Sequence, residues 1–330
     1  MAQSPNHPAF SCRNPTRVFG HRTAEAQRVP GEVAKRARET TESGRGAGHP
    51  TSAHLGRFGL IAPNVGTWCG RPSARGPHQP REAPLPFDAS EYGRHVPADT
   101  YDDAFAHLDP TSAVERLVEL ADGGPVCEFG VGTGRLALPL QERGLTVAGV
   151  EGSPVMASRL REKPGGERIE VAIGDFAATR VPGEFALVLL AFNTIFALPD
   201  QAAQVACFRN AAAHLRPGGR FVVEAWVPDP AAFRAGAALR PVRVAQDAVM
   251  LEAALLHPAE QRMTTTKIRL TGTGVDLLPA NHRYAWPAEL DLMAELAGMT
   301  REQRWEDWTG RPFTDHSRDH VSVYRRPASA

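Results

Sequence analysis

One stretch constrains this chain more than any other: the apolar run Val126–Phe129 leads straight into Gly130-Val131-Gly132-Thr133-Gly134 and then into the apolar helical pattern Arg135–Glu142. A loop between the carboxyl end of a strand and the amino end of a helix offers free backbone amides and the positive pole of the helix. Glycines there permit positive φ and let a ligand approach the backbone without meeting Cβ atoms. The spacing is Glu128-x-Gly130-x-Gly132-x-Gly134. A dinucleotide fingerprint would need its third glycine at position 135, which is Arg135, and no lysine stands where a phosphate-binding P-loop requires one.

The surrounding pattern fixes the fold class. Ser112–Ala121 places its apolar residues on one helical face, with Thr111 or Ser112 as the cap. Thr146–Val150 predicts a second strand, closed by Glu151-Gly152-Ser153-Pro154, where Ser153 caps and Pro154 opens a helix. Ile169–Ile173, Phe185–Ala191 and Arg220–Trp226 predict three more strands, with a helix over Gln201–Leu215 before the last. Strands alternating with helices of this length predict an α/β protein with a parallel sheet covered on both faces. Acidic residues end the second and third strands, at Glu151 and in Gly174-Asp175-Phe176. They lie at the carboxyl edge, where open sheets of this kind bind ligands. A carboxylate at Glu151 can accept both hydroxyls of a ribose.

With these residues in order, the stretch from about 99 to 230 resembles a class I S-adenosylmethionine-dependent methyltransferase, closest to the bacterial small-molecule and natural-product type. The resemblance rests on the glycine loop, Glu151, Gly174-Asp175-Phe176, and Leu215-Arg216-Pro217-Gly218-Gly219 before a strand. It implies a Rossmann-like sheet of five parallel strands plus antiparallel carboxyl-terminal strands, and S-adenosyl-L-methionine as cofactor. It further implies that Gly130, Gly132 and Gly134 pass along the methionine moiety while Glu128 bonds its amino group. Glu151 with Gly152 would hold the ribose, Met156 would pack on adenine, and Asp175 and Phe176 would flank it. Ala191, Phe192 and Asn193 would lie beside the transferring methyl, and Tyr101 would cover the methionine carboxylate. Arg135 either reaches that carboxylate or stands exposed in the first helical turn.

The carboxyl-terminal part is the candidate acceptor region. Val249–Leu256 and Arg262–Leu270 predict a hairpin around His257-Pro258-Ala259-Glu260. His282-Arg283-Tyr284-Ala285-Trp286 predicts a strand with His282, Tyr284 and Trp286 on one face, before a helix opened by Pro287. His282 is the candidate general base, since an ordinary imidazole titrates at about 6.5; the alternative is a structural histidine bonded to backbone. His316 and His320 are read as surface residues. Glu302–Trp308 and Val321–Tyr324 close the pattern as antiparallel strands.

Charge divides the chain. Of 37 Lys+Arg and 37 Asp+Glu, residues 1–86 hold 12 and 5, a net of +7, with 11 of the 28 prolines and 10 of the 30 glycines. They show no apolar period, so this segment is expected to be a disordered or loosely attached extension, or else no part of the working protein. Residues 87–330 are the expected methyltransferase domain, with a cofactor half at 99–230 and an acceptor-covering part at 231–330. The zero net charge gives no electrostatic argument for nucleic acid or a membrane surface. No apolar run approaches the ~18–20 residues of a membrane span. Four scattered cysteines form no CxxC pair and suggest neither zinc nor disulfides, so a reducing cytoplasm is expected. The resemblance implies a small-molecule substrate, and a monomer or homodimer without a metal is expected. A nicotinamide-dependent oxidoreductase and a non-catalytic cofactor-binding protein are the alternatives.

Overall fold

A computed structural model describes residues 101–102 and 105–328, all within the unit Gly76–Ala330. The extension expected at residues 1–86 lies outside the described residues, as do Cys12 and Cys69.

Helix α1 (Thr111–Ala121) buries Ala113, Val114, Leu117, Leu120 and Ala121 along one stripe. Its start corrects the expected cap. Pro110 holds the cap position, and Asp109 Oδ1 accepts both the Thr111 N–H at 3.0 Å and the Thr111 hydroxyl at 2.6 Å. The hydroxyl is thus turned back to Asp109 rather than forward into the helix. Strand β1 (Val126–Phe129) is wholly buried, and α2 (Ala137–Glu142) begins two residues later than the pattern predicts. The turn closed by Gly134 N–H on Val131 O occupies the intervening chain. Then come β2 (Val147–Glu151), α3 (Pro154–Glu162), β3 (Glu170–Ile173), β4 (Phe185–Leu190), α4 (Gln201–His214) and β5 (Leu215–Trp226). Ser153 caps α3 and Asp200 caps α4, each accepting the amide three residues on. The Leu215–Gly219 segment is the opening of β5 rather than a separate turn; the pairing of β4 with β5 shifts there, between Phe185 and Leu187, and Gly218 takes φ +76°.

After an inserted second sheet, α5 (Pro287–Leu296), β10 (Thr300–Trp305) and β11 (Asp319–Arg325) complete the main one. Its order is β10-β11-β5-β4-β1-β2-β3. Strands β1 to β5 are mutually parallel; β11 is antiparallel to both β5 and β10. Strands β10 and β11 thus form the expected antiparallel pair at the carboxyl-terminal edge, with β11 reversed relative to the parallel strands. The chain leaves β1 for β2 on one side and reaches β4 on the other, so the crevice between β1 and β4 is the topological switch point. Apolar clusters fill both sheet faces, one around Phe129, Phe208 and Tyr324, the other around Leu117, Leu140 and Leu187.

The inserted sheet is antiparallel in the order β6 (Ala237–Val244), β7 (Ala248–His257), β8 (Arg262–Thr271), β9 (Gly274–Arg283). Strands β7 and β8 form the expected hairpin across the 3₁₀ turn Pro258–Glu260. Strand β9 begins eight residues before His282, and Trp286 has left it: the indole is 41% exposed at the head of α5, while Tyr284 is buried. The expected shared face of His282, Tyr284 and Trp286 is therefore not formed. His320, expected at the surface, is fully buried in β11.

Candidate cofactor and transfer site

The glycine loop leaves β1 through a backbone bond from Gly130 N–H to Val150 O at 2.8 Å. Gly130 has φ +70°, and a Cβ there would stand 2.9 Å from Thr194 Cγ2. At Gly134, φ is +88° and a Cβ would fall 2.3 Å from Leu160 Cδ1. Neither position admits a side chain without displacing a neighbour.

Two carboxylates bracket the loop. Glu151, 7% exposed at the end of β2, accepts the Gly132 N–H on Oε2 and the Ser153 N–H on Oε1, both at 2.8 Å. Burial raises its pKa, opposed by amide bonds from Ser153, Gly132 and Gly152. These bonds fix the carboxylate plane at the carboxyl edge, and each carboxylate oxygen retains a further lone pair for a ligand hydroxyl. Glu128, 5% exposed, has an Oε2 atom that is buried with no hydrogen-bond partner. Burial pushes its pKa up to about 8, against the lowering influence of the Arg135 charge and an amide bond from Ala137. A buried carboxyl oxygen without a donor is costly, and an ammonium group at this point would satisfy it.

The approach segment is tied to the same loop. Asp102 accepts the Thr133 hydroxyl at 2.6 Å and pairs with Lys163 at 2.7 Å, while Lys163 Nζ donates to Thr133 O at 2.7 Å. Burial would raise the Asp102 pKa, but the Lys163 and Thr133 bonds hold it below the usual range. This clamp seats Tyr101 in a chain of rings. Tyr101 lies 4.7 Å from Phe105, Phe105 meets Phe192 edge-on at 5.2 Å, and the Arg135 guanidinium stands 5.3 Å above the Phe192 ring. The structure thus brings Tyr101, Arg135 and Phe192 together.

On the adenine side expected from sequence, Met156 is buried at the head of α3, its Cε 3.8 Å from where a Gly132 Cβ would be. Asp175 Oδ1 accepts the Ala177 N–H at 2.8 Å, closing the turn after β3. Phe176, next along the chain, is 6% exposed and stacked on Phe129 at 6.2 Å.

Across the crevice, Ala191-Phe192-Asn193 ends β4 in a strained turn. Phe192 and Asn193 take φ +55° and +64°, conformations that side-chain-bearing residues rarely adopt. Four bonds hold them there. Phe192 N–H donates to Glu224 Oε2 at 2.7 Å and Asn193 N–H to Glu224 O at 3.0 Å. Trp226 N–H donates to Asn193 Oδ1 at 2.6 Å, and the Thr194 hydroxyl to Ala191 O at 2.7 Å. The Asn193 carbonyl is thus committed to the turn. Glu224, which sequence reasoning missed, also accepts the Trp308 indole N–H at 2.7 Å. Its only signal was an acid inside the apolar run Phe221-Val222-Val223-Glu224-Ala225-Trp226.

His282 lies in β9, the strand of the inserted sheet that packs on the Thr194–Ala197 3₁₀ turn. Its Nε2 lies 3.4 Å from Thr265 Oγ1. Burial lowers its pKa, with Glu252 raising it and Lys267 lowering it to lesser degrees. The imidazole is neutral near pH 7. Among the described residues no group of His, Cys, Asp and Glu is arranged to hold a metal ion, and no helix is long and apolar enough to cross a membrane.

The glycine loop, the buried Glu151, the unpartnered Glu128 oxygen and the strained turn all stand at the carboxyl ends of β1, β2 and β4, and similarity to known proteins names the class of enzyme that carries them. Residues 126–219 match the family model described as a methyltransferase domain. The chain is 40% identical to the CcbJ methyltransferase of Streptomyces caelestis, with a TM-score of 0.68, over 73% of this chain and all of that one. The cypemycin N-terminal methyltransferase of a Streptomyces species is 28% identical over 234 residues, 69% of this chain and 95% of the relative. An S-adenosylmethionine-dependent methyltransferase of Clostridium acetobutylicum shares the fold alone, at 12% identity and TM-score 0.61, over 70% of this chain and 98% of that one. The chain belongs to the class I S-adenosylmethionine-dependent methyltransferases.

Proposed function

We propose that this enzyme methylates an amine nitrogen of a small natural-product-type molecule, with a hydroxyl oxygen as the second reading. Glu224 carries the choice of nitrogen. It is the carboxylate beside the β4 turn, and its two oxygens already accept Phe192 N–H and the Trp308 indole, bonds that hold the turn and that taking a proton from an alcohol would disturb. An alcohol benefits from a base in the transition state, whereas an amine needs only to be neutral. The cypemycin relative, by its name an N-terminal methyltransferase, supports the same reading.

When bound, S-adenosylmethionine supplies an activated methyl on a sulfonium. The chain's own residues then have three tasks. Gly130, Gly132 and Gly134 admit the methionine moiety, with Glu128 accepting its ammonium and Tyr101 and Arg135 covering its carboxylate. Glu151 and Gly152 hold the ribose, while Met156 and Asp175 border adenine. Ala191, Phe192 and Asn193 shape the wall along which the acceptor must approach in line, and alignment of this kind supplies up to ~7–11 kcal/mol of a barrier. In this reading residues 99–230 bind the cofactor and residues 231–330 cover the acceptor.

His282 separates the two acceptors. For nitrogen, His282→Ala retains most of its turnover at high pH, and its pH–rate profile superimposes on that of the wild type. For oxygen, the variant loses ~10²–10⁴-fold and the histidine limb of the profile vanishes. Mass-resolved products from matched amine and alcohol acceptors complete the test: methylation of the alcohols alone would overturn the nitrogen reading.

A further inference from the structure

A buried polar cluster joins the inserted sheet to the transfer turn. Arg283 ends β9, one residue after His282, and its side chain is only 6% exposed. Its Nη1 donates to Gln204 Oε1 at 2.5 Å, and its Nη2 to Glu289 Oε1 at 2.6 Å, in the first turn of α5. Gln204 is fully buried in α4, and its Nε2 donates to Arg283 O at 2.8 Å and to Ile195 O at 3.1 Å. Ile195 belongs to the Thr194–Ala197 3₁₀ turn, which follows Phe192 and Asn193 directly. In the same turn Thr194 Cγ2 occupies the space that a Gly130 Cβ would need. Glu289 is held in its place by Gln201 Nε2 and Gln261 Nε2, both at 2.7 Å. One guanidinium and one amide thus tie together β9, α4, α5, the β7–β8 turn and the chain behind the transfer wall.

We propose that Arg283 is a positioning residue for methyl transfer: through Gln204 it locks the acceptor-covering strands to the turn that forms the transfer wall. The inference rests on the reading of residues 231–330 as the acceptor's cover, and it holds for either acceptor atom. Energetics favour a geometric role. Desolvation offsets the attraction within a buried ion pair, so stability alone does not call for an arginine here. What arginine supplies is a planar fork with donors in fixed directions. The two ends of this fork reach two different helices, an arrangement that a lysine ammonium on its flexible stem does not reproduce. The two carbonyls that Gln204 bridges belong to the segments whose relative placement sets the line of approach: the wall after β4 and the strand that carries His282. A displacement of about 1 Å between such segments costs ~10²-fold in rate.

Full-chain Arg283→Lys and Gln204→Met test this, with Arg304→Lys as control. Arg304 is also 6% exposed and ion-paired, to Asp291 at 2.5 Å, but it joins α5 to β11. Turnover is followed with S-adenosylmethionine on a panel of small amines and their matched alcohols, at the acceptor the wild type methylates fastest. Arg283→Lys and Gln204→Met should each lower kcat ~10–100-fold while the KM for S-adenosylmethionine stays within about twofold. Arg304→Lys should lower Tm and leave kcat as in the wild type. Amide hydrogen exchange in the S-adenosylhomocysteine complex adds a reading that needs no acceptor. Both variants should speed exchange in Thr194–Ala197 together with residues 277–283, with β1 to β3 unchanged. Faster exchange at 277–283 alone overturns the proposal. So does an unchanged kcat in Arg283→Lys, or a kcat loss that Arg304→Lys shares. Failure of the cover reading shows separately: an acceptor that protects no amide of β6 to β9 in the wild type removes that reading, and this proposal with it.

Discussion

Glu224 accepts the backbone N–H of Phe192 at 2.7 Å, and through that bond a carboxylate of β5 holds two consecutive left-handed residues at the end of β4. The strain of the turn and the bond that opposes it lie 32 residues apart in sequence. The wall beside the transfer site is therefore set by β5 as much as by β4.

Replacing Glu224 by Ala removes the partners of both Phe192 N–H and the Trp308 indole. Hydrogen bonds to charged groups contribute about 1.5–3 kcal/mol each, so losing both should cost the variant about 3–6 kcal/mol in urea unfolding. Methyl transfer should fall further than cofactor affinity, because the glycine loop is untouched. Equal loss of both would show that the turn also carries the cofactor.

With Glu128 accepting the cofactor's ammonium as proposed, cofactor binding should be proton-linked. With its pKa pushed up to about 8 by burial, the carboxyl is largely protonated at pH 7, and an ammonium partner would draw the proton off. Affinity should rise with pH up to about 8, and calorimetry in buffers of different ionisation enthalpy should show proton release. Glu128→Gln should bind more weakly and release no proton. The folded pKa lies above the unfolded value of 4.5, so the folded state holds the extra proton between the two. Stability of the cofactor-free enzyme from this group should accordingly decline as pH rises from about 4.5 to 8, and level off above.

His320 acts in the opposite sense. It is fully buried, its Nδ1 lies 2.9 Å from Ser322 Oγ, its Nε2 has no partner, and burial brings its pKa down to about 3. The unfolded chain takes up this proton near pH 6.5, the folded chain only near 3. Its contribution is therefore complete above about 6.5 and is lost as pH falls toward 3. Melting temperature should drop over that window, and His320→Gln should flatten the drop; an unchanged acid slope would assign it to other groups.

The sequence was most legible where local chemistry alone decides the backbone. The apolar run into Gly130, Gly132 and Gly134 cannot serve a different element, and Ser153-Pro154 starts a helix with no help from elsewhere. Legibility failed where tertiary partners decide. Strand β6 was missed because Arg240, Pro241 and Arg243 break its alternation; Pro241 is tolerated because β6 is an edge strand with a register shift there. His320 reads as polar surface until β5 and β10 flank it.

The central claim is that this edge of the sheet is a methyl-donor site organised by Glu151. Isothermal titration of the full chain tests it most directly. S-adenosylmethionine and its demethylated product should both bind, NAD and NADP should give no heat, and Glu151→Ala should weaken binding by roughly 10–100-fold, the ~1.5–3 kcal/mol of hydrogen bonds to a charged acceptor. Unchanged affinity in a folded Glu151→Ala protein, or binding of NAD by the wild type, would contradict it.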